Sequence, residues 1–286
     1  MKRIFPVTID FRLTSKCNMN CRYCFGTKIE SNIHFEDIIS FFSYAFDNGC
    51  ENIVFTGGEP TLHPYFEAYV EKLKNIGYKL FLSSNGMFWE NPQIRSLVMD
   101  NFECISLPVD AGLASRHNYM RRASFDHYNS IMTVLNEFKD YSDTGGPRLK
   151  IGTVVNKLNI DETDKILDTI PVMPDIWKLY QLSKSNVNAG FYEKYSISDN
   201  EFMNCVKLAK KKYSKMVSVT YSFEHDRDGK YLFLEPDGTL MTIYKNKEYP
   251  LSNIWMREKN KEKLFEYVDF EKIDNNFVNS FRGTVL

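Results

Sequence analysis

The stretch VTIDFRLTSKCNMNCRYC, residues 7–24, decides the fold. Its first half, VTIDFRLT (7–14), is rich in β-branched and aromatic residues and reads as a strand. Its second half places Cys17, Cys21 and Cys24 in the loop directly after that strand. The chain holds 6 cysteines in all, and the other three, Cys50, Cys104 and Cys205, are scattered singly. This pattern argues against a disulfide framework, which suits short secreted chains with cysteines spread across the fold.

Outward from this stretch the chain alternates. Further strands are expected at NIVFT (52–56), KLFLSS (79–84), CISLPV (104–109), LKIGTVV (149–155) and WKLYQLS (177–183), with nearly continuous apolar content. Helices are expected at 35–46, 64–76, 91–100, 124–139, 161–169 and 199–213, the last opened by the capping-box spacing of Ser198 and Glu201. Strand–helix alternation with short connections reads as βα units around a parallel sheet. After about residue 215 the rhythm changes: KYLFLEPDGTLMTIYK reads as a β-hairpin around Pro236-Asp237-Gly238, followed by a short helical stretch near 257–268. No low-complexity linker and no long repeat divides the chain, so the domain reading is a main body over 5–215 with an appendage over 216–286.

Composition narrows the class. The 286 residues carry 36 basic and 37 acidic side chains, a net −1, and no global field favours a nucleic-acid polymer or an anionic membrane. Hydrophobic residues make up 43%, which suits a globular chain with a sizeable core. No apolar run approaches the roughly 18 residues of a spanning helix, and the start MKRIFPVTID lacks the apolar stretch of a secretory signal. A cytoplasmic enzyme is the expectation.

Three thiolates packed as Cys17, Cys21 and Cys24 suit a soft metal or an iron–sulfur cluster. Structural zinc would want a fourth ligand at similar spacing, and neither His34 nor His63 completes a familiar one. Three cysteines can instead hold three irons of a [4Fe–4S] cluster, leaving the fourth iron for an exogenous ligand. A zinc-stabilised binding module is the rival from another class. One βα unit later comes Thr56-Gly57-Gly58-Glu59-Pro60, where paired glycines allow close backbone approach to a ligand and Glu59 adds a carboxylate suited to an ammonium group.

The C-x3-C-x2-C motif CNMNCRYC, with Tyr23 before its last cysteine, and the GGEP at 57–60 together resemble the radical S-adenosylmethionine (SAM) superfamily. The resemblance covers about residues 5–215 and implies an α/β partial (β/α)6 barrel, TIM-like, with a short C-terminal hairpin and helix extension. It implies one [4Fe–4S] cluster on Cys17, Cys21 and Cys24, and SAM bound at the open iron. Gly57, Gly58, Glu59 and Pro60 would form the segment facing the methionine amino group, and backbone near Tyr23 and Phe25 would meet adenine. Ser84-Asn85-Gly86 resembles the segment near the SAM ribose. Asp110 followed by a late arginine resembles the carboxylate-binding segment, for which Arg121 and Arg122 both qualify; Pro108 departs from the family's usual serine. The implied chemistry is reductive cleavage of SAM and hydrogen abstraction from a substrate by the 5′-deoxyadenosyl radical, with the electron coming from a flavodoxin- or ferredoxin-type donor.

The substrate is left open as a peptide, a nucleotide or another small molecule. FLEPDGTLMTIYKNKEYPLSNIW resembles the opening of the SPASM/Twitch extensions of peptide-modifying relatives, yet no cysteine follows Cys205, so no auxiliary cluster is expected. A weaker, collinear resemblance is to viperin-like radical SAM enzymes, which dehydrate CTP. It rests on CNMNCRYCF, FTGGEP, SSNG, VVNKLNIDE, IWKLYQLS and ISDNEF occurring in that order. Lys150, Lys178 and Arg122 would suit a triphosphate. Asp10 and Arg12 stand where those enzymes tend to have Asn and His, and Gly152 replaces another polar residue. Asp10, Arg12, Lys150, Lys178, Tyr180 and Gln181 are the candidate substrate residues. Cys50, Cys104 and Cys205 read as packed thiols, His117 and His127 as solvated or core-satisfied, and Lys210-Lys211-Lys212 as a solvated helix end that could also dock an electron donor.

Overall fold

The computed structural model describes residues 3–282 apart from 27, 30–32, 143–144, 186–187, 255–263 and 265. The first strand, β1 (Thr8–Thr14), alternates in the manner of a half-polar strand. Ile9, Phe11 and Leu13 are buried in the main hydrophobic core, while Thr8, Asp10, Arg12 and Thr14 line an interior cavity. Phe11 meets Phe42 and Tyr69 edge-on at 5.1 and 5.4 Å. Those rings belong to α1 (Phe35–Asp47) and α2 (Phe66–Ile76), which flank β2 (Asn52–Gly57) in sequence. Gly77 ends α2 in the left-handed region at φ 116°, the C-terminal stop that its sequence predicts.

The alternation continues through β3 (Lys79–Ser83), α3 (Pro92–Asn101), β4 (Phe102–Pro108), α4 (Ala114–Arg121), α5 (His127–Ser142), β5 (Arg148–Val155), β6 (Ile176–Gln181), α6 (Ala189–Tyr195), α7 (Asp199–Tyr213) and β7 (Ser218–Ser222). All seven strands run parallel in chain order. Residues from every one of them line one cavity, so the sheet curls round as a partial barrel with its helices outside. Ser198 and Glu201 close the expected capping box on α7.

Several expectations are corrected. Residues 163–169 wind as a 3-10 segment and not an α-helix. The helix α4 had no sequence signal, because its apolar residues form no stripe. The sheet does not stop near 215: β7 extends it in parallel beyond β6. On the other edge, β8 (Phe233–Leu234) pairs in parallel with β1, and β9 (Thr239–Tyr244) and β10 (Lys247–Asn253) add two antiparallel strands. The hairpin of the sequence reading is thus two turns: Pro236-Asp237-Gly238, and Lys245-Asn246 with both residues at positive φ, as a two-residue type I′ turn requires. The helical stretch expected near 257–268 lies largely outside the described residues.

Last in order come α8 (Phe270–Phe277) and a π turn (Val278–Arg282). Phe277 and Phe281 pack on Phe81, with Val54 and Cys104, inside the barrel. Asp274 accepts from the Val7 amide and pairs with Arg3, and Arg148 donates to the Arg282 carbonyl. Val7 and Arg148 lie at the N-terminal ends of their strands, so this segment closes the end of the barrel opposite the cysteine loop.

Candidate functional site

The interior holds a cavity of about 540 Å³, open at the C-terminal ends of the strands. One wall is the loop after β1, which carries Cys17, Cys21 and Cys24, all as free thiols. That loop is docked on the end of β2: Gly58 and Glu59 donate to the Thr14 and Lys16 carbonyls at 2.6 and 2.8 Å. A Cβ on Gly57 would stand 2.3 Å from the Thr14 oxygen, and one on Gly58 2.2 Å from the Lys16 oxygen. Glycine is therefore required here by the cysteine loop itself, while both residues still line the cavity. On its other side the loop is held by Asn188 and Ser185, which donate to the Tyr23 and Cys24 carbonyls.

Glu59 is buried and does not line the cavity. Its carboxylate accepts from the Ser84 hydroxyl at 2.9 Å, the Asn85 amide at 2.7 Å and the Thr61 hydroxyl at 2.7 Å. Burial raises its pKa and these donors oppose the rise. In this arrangement it braces the β2 and β3 loops; the expected open ammonium site is not what the carboxylate faces, and Pro60 is likewise buried behind it. Ser84 and Asn85 do reach the cavity, and Asn85 directs its amide at the Cys17 sulfur, 3.9 Å away.

Asp110 is fully buried among three donors: Arg121 Nε at 2.6 Å, Tyr23 Oη at 2.6 Å and the Val154 amide at 2.9 Å. Burial alone would lift its pKa, but the Arg121 guanidinium and these donors hold it below the ordinary value. Arg121 lines the cavity and lies 3.8 Å from the Cys21 sulfur. Arg122 caps α4 in the left-handed region and is exposed, so of the two arginines only Arg121 lines the cavity. Behind them His117 and His127 form a neutral chain: the Asp110 amide donates to His117 Nδ1, and the rings meet at 2.8 Å. His127 in turn lies 2.9 Å from the Asn85 carbonyl. Burial pushes their pKa values down to about 3 and about 4, so both are core-satisfied.

The opposite wall is polar and rich in cations. Arg12 is buried and donates from Nη1 to Glu235 at 2.7 Å and Glu248 at 2.6 Å, with its guanidinium 3.9 Å over the Phe233 ring. Lys150 donates to the Tyr180 hydroxyl at 3.1 Å, and Lys178 to Asn276 at 2.9 Å and to Ser280. Arg227 stacks 3.8 Å over the Phe25 ring. Among the described residues no carboxylate lies within ion-pair distance of Lys150, Lys178 or Arg227. Burial lowers the pKa of all three, Lys150 to about 8. Asp10 faces the cavity, its carboxylate with no hydrogen-bond partner among the described residues; burial raises its pKa to about 6 against the attraction of Arg12, Lys150 and Lys178. Lys178 stands behind the wall, and Gln181 is spent on Ile197, Asp199 and Glu224. Sequence reasoning missed Arg227, Tyr231, Glu235, Asn276 and Ser280. Their only signal was the polar face of the late segments.

Among the described residues, no three metal-ligating side chains are gathered as a closed set. The donor chemistry nevertheless fits an iron–sulfur cluster: three mutually interacting thiols in one loop, with Asn85 and Arg121 directed at two of the sulfurs.

A parallel partial barrel with three thiols at its strand ends defines an α/β cofactor enzyme. The profile of the Radical SAM superfamily matches residues 11–170, and the chain belongs to that superfamily. It is a radical SAM enzyme, and membership implies SAM and an iron–sulfur cluster. An S-adenosylmethionine-dependent nucleotide dehydratase from Flammeovirga pacifica is 27% identical over 250 residues, covering 81% of this chain and 80% of that protein. One from Thermoplasmatales archaeon (strain ISO4-H5) is 24% identical over 268 residues, 92% and 91% of the two chains. Among solved structures, native anSMEcpe with bound AdoMet and Cp18Cys peptide superimposes with a TM-score of 0.68 at 18% identity, over 97% of this chain and 88% of that one. Streptococcus suis SuiB bound to S-adenosylmethionine gives 0.65 at 12% identity, over 82% of this chain and 60% of that one. At these identities the likeness is one of fold. No helix among the described residues is long and apolar enough to cross a membrane.

Proposed function

We propose that this radical SAM enzyme takes a hydrogen atom from a nucleotide. The observation that carries the reading is the group of basic side chains left without a carboxylate partner: buried Lys150 and half-buried Arg227 line the cavity, and buried Lys178 stands just behind it. Uncompensated buried charge is costly and calls for an anionic ligand; the phosphates of a nucleotide supply one. The 80% and 91% coverage of nucleotide dehydratases supports the same substrate class. Asp10 then offers an acceptor to a sugar hydroxyl or base amine.

Cys17, Cys21 and Cys24 are the proposed ligands of one [4Fe–4S] cluster. Gly57, Gly58, Ser84, Asn85, Tyr23, Phe25 and Arg121 are the proposed wall for SAM, with Glu59, Asp110 and the histidine pair fixing their positions. The chemistry supplied when both are bound is a carbon radical that can take a hydrogen atom from the substrate. The protein's own share is to orient the nucleotide and to exclude other hydrogen donors.

Anaerobic reconstitution is expected to incorporate about four irons and four sulfides. With SAM and reductant, 5′-deoxyadenosine formation should be stimulated by one nucleoside triphosphate among CTP, UTP, GTP and ATP. Formation unchanged by all four sinks the nucleotide reading. One zinc, no sulfide and no SAM cleavage would favour the zinc-stabilised module instead, for which Cys→Ala changes unfold the chain.

A further inference from the structure

We propose that the surface strip formed by exposed Tyr119, Arg122, Lys157 and Lys194 with partly exposed Arg22 and Tyr195 is the docking surface for an acidic one-electron carrier protein. The inference rests on the radical SAM chemistry and is independent of the substrate. Arg22 stands between Cys21 and Cys24 in sequence, and its amide and side chain donate to the Met120 and Tyr119 carbonyls. Its guanidinium lies 4.2 Å over the Tyr119 ring. The Tyr119 and Tyr195 hydroxyls meet at 3.2 Å, Lys157 donates its amide to the Tyr195 carbonyl, and Lys194 lies 5.2 Å over the Tyr195 ring. These contacts join Arg22, Tyr119, Tyr195, Lys157 and Lys194, with Tyr119 41% exposed and Arg122 exposed at the end of α4; the four cations stand against Glu193 beside Lys194 and Glu201, which interacts with Lys157.

Position adds a second argument. From this surface a line of rings leads inward: Tyr119 to Tyr195 at 6.5 Å, Tyr195 to Phe191 at 4.7 Å, and Phe191 to Tyr23 at 6.5 Å. Tyr23 is itself within the cysteine loop. Electron tunnelling falls steeply with distance, so a carrier must seat close to that loop. Lys210-Lys211-Lys212, the basic run that the sequence offers for docking, ends α7 just before β7 begins and therefore lies at the opposite end of the strands. Two of its members are also engaged, Lys212 with Asp168 and Lys210 with the Tyr221 ring. A carrier with an acidic face would be steered to the strip and oriented there by exposed Tyr119. One electron leaves the reduced carrier, a flavin hydroquinone or a reduced iron–sulfur centre, and one enters the site held by the cysteines.

The test compares two reductants on the reconstituted enzyme with SAM alone, so that failure of the nucleotide reading leaves it intact. Reduced flavodoxin probes docking, and dithionite bypasses it. In the Lys157→Glu/Lys194→Glu double variant, the flavodoxin-driven rate of 5′-deoxyadenosine formation should fall by about tenfold, with the dithionite-driven rate unchanged. Added salt should slow the wild-type flavodoxin reaction and leave the dithionite reaction alone. Lys210→Glu/Lys211→Glu should behave as wild type with both. A double variant as fast as wild type with flavodoxin, or one equally slow with both reductants, overturns the proposal. So does a wild-type enzyme that reduced flavodoxin fails to drive, or a loss of flavodoxin-driven rate in the Lys210/Lys211 variant.

Discussion

Replacing Asp10 with Asn removes a carboxyl whose pKa burial has raised from 3.8 to about 6. A raised carboxyl pKa means that the folded chain disfavours the charged form. Well below pH 3.8 the group is protonated in both folded and unfolded chains and the burial costs nothing; the cost builds as pH rises from 3.8 to about 6. As pH rises through 6 the carboxyl ionises inside the cavity, and the full cost is present at pH 7.5. The rise from 3.8 to about 6 corresponds to about 3 kcal/mol, at 1.36 kcal/mol for each tenfold in proton affinity. Because the carboxyl faces water in the cavity, roughly 1–2 kcal/mol is the expected size. Asp10→Asn should therefore be more stable than wild type by that amount at pH 7.5, with about half the gain left at pH 5. Urea unfolding midpoints at pH 7.5, 6 and 5 read the effect directly. The same variant should lose nucleotide-stimulated formation of 5′-deoxyadenosine, since a group that destabilises the fold is kept for its ligand. A variant less stable than wild type at pH 7.5 would refute the reasoning. It would mean that attraction from Arg12, Lys150 and Lys178 outweighs burial.

Other residues of the cavity give sharper yes-or-no outcomes. Lys150→Met should weaken nucleoside triphosphate binding by about 30-fold or more, measured by calorimetry, while leaving SAM binding intact. Equal weakening of both ligands would place Lys150 elsewhere in the site. Gly58→Ala puts a methyl 2.2 Å from the Lys16 carbonyl, so it should cost more than about 1 kcal/mol and lower iron incorporation. Thermal unfolding and iron content check it together, and normal values for both would contradict the docking of the cysteine loop on the end of β2.

Much of the barrel was legible because burial imposes periodicity. The six strand runs and α7 carry unbroken local signals, and each formed close to its expected bounds. α4 escaped because packing at a strand end asks only for His117 and Met120 to be buried. β7 escaped because SVTYS alternates polar residues with Val219 and Tyr221, which leaves no apolar run to read, and only Ser222 reaches the cavity. In the site, the cysteines were readable because three thiols crowded into one loop are a reactive liability unless they bind a metal. Gly57 and Gly58 were singled out for close approach to a ligand, whereas the atoms that demand glycine belong to the cysteine loop, a long-range fact that no local pattern encodes. Arg121 could be separated from Arg122 only by the end of a helix, which turns one side chain in and the other out. Asn276 and Ser280 were invisible because their partner, Lys178, lies about a hundred positions away.

The closing segment of α8 and the π turn carries a consequence for synthesis. It follows every other element of the cavity in chain order, and the Arg3–Asp274 pair joins residues 271 positions apart. On a ribosome the strands and their helices can assemble early, but the wall around Lys178 stays unfinished until this segment emerges and docks. The nascent barrel thus exposes its charged interior to water from the completion of β7 (Ser218–Ser222) until Phe270–Arg282 has docked. A cofactor loaded before that moment would sit in an open vessel, so maturation is expected to follow the docking of this segment.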